Sequence, residues 1–181
     1  ILNTNTSGTT CDSAAATPFG GGIGTAGNPY LICSSAQWAN ITDTDSCGTV
    51  TVGGDNTNSG TACNAPTVYY KLMADFSPTS VPAAIASFSA NLDGNQHIIY
   101  DFIKTDGSSL FTTVNPTATT VIKNLNLLHA SVTGGVANSG VLIGTNGGTS
   151  NYGATLTDVM VSGFLKTTTA EMQSIMNVFQ P

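Results

Sequence analysis

The sequence has no arginine and little charge of either sign. Four lysines stand against ten acidic residues, so the 181-residue chain carries a formal net charge of −6. Charged residues make up 8% of the chain, well below the roughly 25% of ordinary soluble domains. Without arginine no side chain can bind phosphate or guanine through the bidentate hydrogen bonds of a guanidinium group, and the sequence has no basic stripe. We therefore expect neither nucleic-acid binding nor recruitment to anionic lipid headgroups.

The sequence also lacks a long apolar run. None approaches the roughly 18 residues of a membrane-spanning helix, so we expect no direct membrane insertion. The chain opens at Ile1 on a polar Thr/Asn stretch that does not resemble a signal peptide. We interpret it as a mature or excised protein rather than a cytosolic one.

Metal-binding patterns are scarce as well. The four cysteines form no CxxC motif and the sequence has only two histidines, so a zinc site is poorly supported. An even cysteine count in this composition predicts two disulfides and an oxidising compartment, hence an extracellular or cell-surface location. Of the three possible pairings we favour Cys11–Cys33 and Cys47–Cys63, because each closes a local loop of about 15–25 residues.

The chain is instead rich in Thr, Ser, Asn and Gly, the residues of strand faces and tight turns. One signature, apolar-x-x-apolar-x-apolar, recurs on this background. Its copies are VIKNLNL, with Ile122, Leu125 and Leu127; TLTDVMV, with Leu156, Val159 and Val161; and a degenerate IIYDFIK, with Ile99, Phe102 and Lys104. Two strand types that alternate and recur about every 20–35 residues predict an all-β stack of strands, a β-solenoid.

This organisation divides the chain into four segments. We expect a lead-in or linker over residues 1–17, an N-terminal cap with the disulfides over 18–90, solenoid rungs over 91–166 and a C-terminal capping segment over 167–181. The N-terminal cap contains the best helix, Ser34–Ile41, which Ser34 or Ser35 would cap. Capping segments are expected because an open terminal rung exposes unpaired backbone.

The order of several segments resembles one known family. PFGGGIGTAGNPYLICSSAQWANI resembles its opening segment, YYKLMADF its following strand, and SFSANLDGNQHII the start of its first rung. VIKNLNLLHASVTGG, SGVLIGTN and DVMVSG are similar to the repeats called GLUG motifs, and LKTTTAEMQ to the segment that closes such a block. The resemblance spans about residues 18–173. Two positions depart from it, since Thr112 stands where the family usually has Gly and Lys104 replaces an apolar residue.

Proteins with GLUG motifs are secreted bacterial surface proteins, either adhesin-like and fibre-like or non-catalytic modules beside IgA-protease-type metallopeptidases. The resemblance implies a right-handed β-helix-like solenoid. We expect a non-enzymatic adhesin or fibre-tip module that presents a surface to a glycan or another cell-surface component. Alternatives are an accessory domain of a secreted protease or hydrolase, and a structural spacer in a fibre. A homotrimer is one assembly that unpaired edges would favour.

Five residues are candidate ligand contacts. Asp101 and Asp158 occupy equivalent positions in IIYDFIK and TLTDVMV, with Asn124 between them, which predicts a polar ladder up one face. Such a file is more often a stacked ladder at turn edges than a catalytic carboxylate pair. Tyr152 lies in a Gly/Asn loop, and Tyr100 lies at a strand position whose side chain is expected to point outward. Either ring could stack on a sugar, with packing against a cap as the alternative.

Two further patterns imitate catalytic or metal sites. Asp93 and His97 in DGNQHI lie close together, but Asp-Gly-Asn is ordinary turn chemistry. Asp43 and Asp45 in DTDSCG imitate the start of a calcium loop, whereas Gly54 stands where the last acidic ligand belongs. We expect no catalysis and no cofactor, with calcium at Asp43 and Asp45 as a weak alternative to a plain loop.

Overall fold

A computed structural model describes residues 11–13, 19–42, 64–78, 84–114, 120–135, 140–146 and 154–167. These residues contain twelve β-strands, the α-helix α1 (Ser35–Ala39) and a 3-10 turn at Asn40–Thr42. The strands are β1 (Tyr30–Ile32), β2 (Tyr69–Leu72), β3 (Ile85–Phe88), β4 (Asn91–Asp93), β5 (Ile98–Tyr100), β6 (Ile103–Lys104), β7 (Phe111–Val114), β8 (Val121–Lys123), β9 (Asn126–Gly135), β10 (Ile143–Asn146), β11 (Thr155–Thr157) and β12 (Met160–Thr167).

The strands form three parallel sheets. The first sheet has the order β1-β2-β4-β8-β11, the second has β5-β9-β12 with β6 also on β9, and the third has β3-β7-β10. From β4 onward the chain visits the first, second and third sheets in turn, and every pair between named strands is parallel. The prediction of a mostly β protein is therefore confirmed, and the parallel sheets are consistent with a β-helix-like fold.

The core consists of apolar side chains stacked on one another along each sheet. Tyr70, Leu92 and Ile122 are consecutive partners in the first sheet, and all three are buried. Ile99 and Leu127 are partners in the second sheet and are buried as well. Parallel pairing in register places like positions of successive turns over one another, and burying each such side chain contributes about 1.5–3 kcal/mol.

The helix and the disulfide fix the start of this core. Ser34 caps α1 by accepting a hydrogen bond from the Gln37 backbone N–H, as expected for a residue of its type. The buried Gln37 side chain accepts from the Cys33 N–H at 2.8 Å and donates to the Asp12 carbonyl at 2.6 Å. A disulfide joins Cys11 to Cys33, the pair favoured by the sequence, with 5.8 Å between their Cα atoms. Gln37 and the disulfide thus tie residues 11–13 to the strand β1.

The chain turns at residues in the left-handed backbone region. Asn124 and Asp158, with φ of 52° and 51°, lie where the chain passes from the first to the second sheet. Asp101 and His129, with φ of 56° and 53°, lie at a second corner, within the second sheet. Asn, Asp and His are the non-glycine residues that adopt this conformation most readily, because short polar side chains can hydrogen-bond locally.

These corners explain the recurring signature and correct one alignment. Each copy has its left-handed residue in the third position, between two inward apolar residues, so the signature marks a corner. IIYDFIK was expected to match VIKNLNL, but Ile99 pairs with Leu127 and Ile103 pairs with Ser131. The expected alignment is therefore wrong, because the signature occurs at both corners of a turn and cannot tell them apart.

Lys104, which stands where the recurring signature has an apolar residue, lies on an inward-facing column of the second sheet. Lys104 pairs with the buried Val132, which in turn pairs with Leu165. The Lys104 ammonium reaches the Asp106 carboxylate at 3.7 Å. An aliphatic stem can cover the core while the charged end stays near the surface. This position is therefore the least apolar of its column.

Several predictions lie outside the described residues. They concern the pair Cys47–Cys63, the weak calcium candidates Asp43 and Asp45, and the loop tyrosine Tyr152. The division of the chain at residues 17, 90 and 166 stays a prediction. In the parts of the chain that the structure describes, no helix is long and apolar enough to cross a membrane.

Candidate functional site

A groove of about 340 Å³ lies on the outer face of the first sheet. This volume is within the roughly 300–1,000 Å³ of small-molecule sites. The loop that precedes β1 forms one end of the groove, and the adjacent strands β2, β4 and β8 form the rest. Its lining residues are Ala26, Pro29, Tyr69, Tyr70, Lys71, Asn91, Leu92, Asp93, Val121 and Lys123.

The outward side chains of the groove form two rows across the strands. The first row contains Tyr69 of β2 and its partner Asn91 of β4. The second contains Lys71 of β2, Asp93 of β4 and Lys123 of β8, each the register partner of the next. Since side chains alternate along a strand, residues two apart such as Tyr69 and Lys71 share the outer face and lie roughly 7 Å apart.

Asp93 is the most constrained of these side chains. Its Oδ2 lies 3.3 Å from the Lys123 Nζ, and its Oδ1 accepts hydrogen bonds from the Asn124 Nδ2 at 2.9 Å and the Asn95 N–H at 2.8 Å. Partial burial raises the pKa of Asp93, but the bonds from Asn124, Asn95 and Lys123 outweigh it and lower that pKa overall. Asp93 is therefore a fixed carboxylate whose oxygens are already engaged.

Lys71 differs from Lys123 in its electrostatic partners. Among the described residues, no carboxylate lies within ion-pair distance of the Lys71 ammonium. Its side chain is half-buried in the second row of the groove. The Lys71 ammonium is therefore a positive group that the described part of the protein does not neutralise.

The first row supplies an apolar surface and a rigid floor. Tyr69 is half-buried beside Pro29 and Ala26 in the groove lining. Asn91 is buried, donates to the Pro66 carbonyl at 2.8 Å and accepts from the Val121 N–H at 3.1 Å. These bonds use the Asn91 amide to hold neighbouring turns together, so Tyr69 is the side chain of this row that is available to a ligand.

The predicted ladder of Asp101, Asn124 and Asp158 is wrong in one member. Asn124 and Asp158 do occupy the same corner of successive turns, and the Asn124 N–H donates to the Thr157 carbonyl at 2.9 Å. Asp101 lies at the other corner, where it stacks on His129, with 3.7 Å between its Oδ1 and the His129 Nδ1. The neighbour of Asn124 in the preceding turn is Gln96, whose Nε2 donates to the Asn124 Oδ1 at 3.4 Å.

Asp93 and His97 do not form an acid–base pair with each other. The His97 Nδ1 instead lies 2.9 Å from Asp75 Oδ1 of the preceding turn, and that oxygen also accepts from the Ile98 N–H at 2.9 Å. These bonds from Ile98 and His97 lower the pKa of Asp75. In the described part of the chain no three His, Cys, Asp or Glu side chains converge in a way that could hold a metal ion.

Tyr100 lies on an exposed apolar face of the second sheet. It belongs to the large hydrophobic residues that are most exposed in the described part of the chain, and all of them are on β5, β6 or β12. Their exposed fractions are Tyr100 39%, Ile103 59%, Met160 51% and Phe164 56%. We refer to these four residues as the second-sheet face. Asp101 borders this face but is not part of the groove.

No family model matches the sequence, and no curated protein matches it. The fold is similar to the crystal structure of a "putative immunoglobulin A1 protease" from Bacteroides ovatus, with a TM-score of 0.58 and 17% sequence identity. The similarity covers 93% of this chain and 51% of that chain, so this chain spans about half the length of its structural neighbour. At such low identity the likeness concerns the fold alone.

The sequence reasoning missed the groove. Its signal was present in YYKL, NLD and VIK, where Lys71, Asp93 and Lys123 occupy the same outward phase. The three segments are separated by connections of different length, and only one carries the recurring signature. The alignment that would have revealed the row therefore depends on the strand register, which the structure supplies.

Proposed function

We propose that this chain is a non-enzymatic, extracellular module of a bacterial surface protein, adhesin-like or at a fibre tip, that binds a saccharide in the groove. The observation that carries the proposal is the combination of the Tyr69 ring with the charged row of Lys71, Asp93 and Lys123. Sugar sites combine an apolar ring surface with a few fixed polar groups, which is the composition of this groove.

Three features support the wider setting of the proposal. The Cys11–Cys33 disulfide fits an oxidising, extracellular compartment. The repeated passage through three parallel sheets supports a right-handed β-solenoid with a disulfide-containing cap. The fold likeness over 93% of the chain supports a relation to IgA-protease-type proteins, alongside the resemblance of the repeats to GLUG motifs.

A second candidate function is an accessory, non-catalytic domain of a larger secreted protease or hydrolase. The observation that favours it is that the chain spans only 51% of a structural neighbour described as a "putative immunoglobulin A1 protease". In that case the groove would bind a substrate or cell-surface saccharide beside a catalytic domain outside this chain.

A third candidate is a structural element of a fibre. The second-sheet face supports it, because several large apolar side chains exposed on one sheet are typical of interaction sites. Assembly through that face, for example as a homotrimer, would leave the groove on the first sheet free. Light scattering of the isolated protein separates a monomer from such an assembly.

The direct test is a glycan array probed with the protein and two alanine variants. Tyr69→Ala removes the ring in the groove, whereas Tyr100→Ala removes a ring of the second-sheet face and is the matched control. We expect saccharide binding that Tyr69→Ala weakens by about 10-fold or more and Tyr100→Ala leaves unchanged, since a buried aromatic contact commonly contributes 1–2 kcal/mol or more. Binding lost in Tyr100→Ala but not in Tyr69→Ala would place the site on the second-sheet face and overturn the groove assignment.

A further inference from the structure

The charged row of the groove has an uneven pairing. Lys71, Asp93 and Lys123 are register partners on adjacent strands, which lie about 4.8 Å apart, so Asp93 stands between two lysines. Asp93 forms its ion pair with Lys123, at 3.3 Å, and none with Lys71. Its Oδ1 is occupied by the amide of Asn124 and the backbone of Asn95. The row therefore ends, on the side of β2, in one unneutralised positive charge.

This local charge contrasts with the rest of the molecule. The chain carries a net charge of −6 and has only four lysines, two of which line the groove. Lys71 is half-buried, and its ammonium has no carboxylate within ion-pair distance among the described residues. A neutral ligand in the groove would remove water from that ammonium without replacing it by an opposite charge, whereas an anionic group would bind it through a charge-assisted hydrogen bond.

The surroundings of Lys71 specify what kind of anion suits the groove. The ring of Tyr69 lies on the same face of the same strand, and Pro29 and Ala26 add apolar surface beside it. This arrangement offers a stacking surface and, from the residue two positions further along the same strand, a positive charge. A small inorganic anion would use only the charge. A sugar ring that bears a carboxylate would use both.

We propose that the groove binds an acidic saccharide, with a sugar ring against Tyr69 and its carboxylate on the Lys71 ammonium. The inference rests on the saccharide-binding function proposed above and deepens it by naming the ligand class. Asp93 positions Lys123 and, through its lowered pKa, stays ionised, which keeps Lys123 neutralised and leaves the selectivity to Lys71. Lys71 is thus the specificity-determining residue of the site.

The test compares carboxylate-bearing oligosaccharides with their own methyl esters. The probes are uronic-acid and sialic-acid oligosaccharides on an array, each acid beside the ester that has the same rings without the charge. We expect the acids to bind on the order of 10-fold more tightly than their esters, the effect of one hydrogen bond to a charged group. Binding of the acids should also weaken when salt rises from about 0.05 to 0.5 M, because ions screen exposed charges.

Three lysine variants assign the effect to Lys71. Lys71→Gln should remove the preference for the acid, so that acid and ester bind alike, and Lys71→Arg should restore the preference. Lys166→Gln on β12 is the matched control, because Lys166 is an exposed lysine without an ion pair to any described residue. The emission of the buried Trp38 verifies that each variant is folded.

The outcomes separate this inference from the function on which it rests. Equal binding of acid and ester, with loss of both in Tyr69→Ala, would overturn the acidic ligand and leave a neutral saccharide site. An acid preference that survives in Lys71→Gln would overturn the role of Lys71. Failure of every acid and every ester to bind would overturn both the inference and the proposed saccharide binding.

Discussion

Successive turns approach each other closely at Gly94, and replacing it by alanine tests the fold. A Cβ built on Gly94 would lie 2.6 Å from the Leu125 Cα and would also meet the Asn124 carbonyl oxygen of the next turn. Ordinary contacts of a Cβ are about 3.4–4 Å, and the neighbours here are backbone atoms that cannot rotate away. Gly94→Ala therefore forces the two turns apart beside the hydrogen bond from the Gly94 N–H to the Lys123 carbonyl, which is 2.7 Å long.

We expect Gly94→Ala to lower the free energy of unfolding by about 1–3 kcal/mol, the usual cost of overpacking. At roughly 2–4 °C per kcal/mol for a chain of this size, Tm should fall by about 2–12 °C. Urea and thermal unfolding followed by Trp38 emission measure both quantities. Gly27→Ala is the control, because nothing lies within 4 Å of its added Cβ, and it should change stability by less than about 0.5 kcal/mol. Equal stability of the two variants would refute the close packing of these turns.

Two further predictions concern the disulfide and the loss of stability at low pH. Replacing both Cys11 and Cys33 by serine should lower the free energy of unfolding by about 3 kcal/mol, because the bridge closes a loop with a sequence separation of 22; unchanged urea midpoints would contradict this. The pKa of Asp75 is lowered in the folded state. The Asp75 carboxylate therefore contributes to the free energy of unfolding above the ordinary pKa of an aspartate, and this contribution is lost as the pH falls through the pKa of the folded state. Asp75→Asn should therefore flatten the loss of stability below about pH 4. Asp158→Asn is the control and should not, because the Asp158 side chain has no hydrogen bond or ion pair to a described residue. An identical decrease of stability with falling pH in wild type and Asp75→Asn would exclude this role of Asp75.

Much of the fold could be predicted from the sequence because its signals are local. Thr, Ser, Asn and Gly indicated an all-β chain, and the pair Ser34 and Ser35 indicated the start of the only α-helix in the described residues. The apolar signature reported a real structural event, a left-handed corner between two inward side chains. Each of these features depends on a few neighbouring residues, which is why periodicity and cap chemistry were enough to find them.

The alignment of successive turns could not be predicted in the same way. Leu92 pairs with Ile122, yet Ile99 pairs with Leu127, so the first turn contains extra residues between its first and second sheets. That extra turn is held by the Asp93 Oδ1 and the Asn95 N–H. An insertion of this kind shifts every later equivalence without changing the signature itself.

The two errors of site prediction come from this non-local alignment. The signature occurs at both corners of a turn, which placed Asp101 in a ladder to which Gln96 belongs, and the row of Lys71, Asp93 and Lys123 follows only from the strand register. Register in a parallel stack is set by non-local pairing and by the lengths of connections, and a slip changes which side chains are neighbours. Site residues on such a scaffold are therefore visible only after the strand partners are known.

The groove as a saccharide site is the central claim, and an NMR titration tests it most directly. The ¹⁵N-labelled protein would be titrated with the acidic oligosaccharide that binds best on the array. We predict shifts of backbone amide signals at Tyr69, Lys71, Asp93 and Lys123, with Lys166 on the second sheet unaffected. Shifts confined to the second-sheet face, at Tyr100, Ile103, Met160 and Phe164, would contradict the claim.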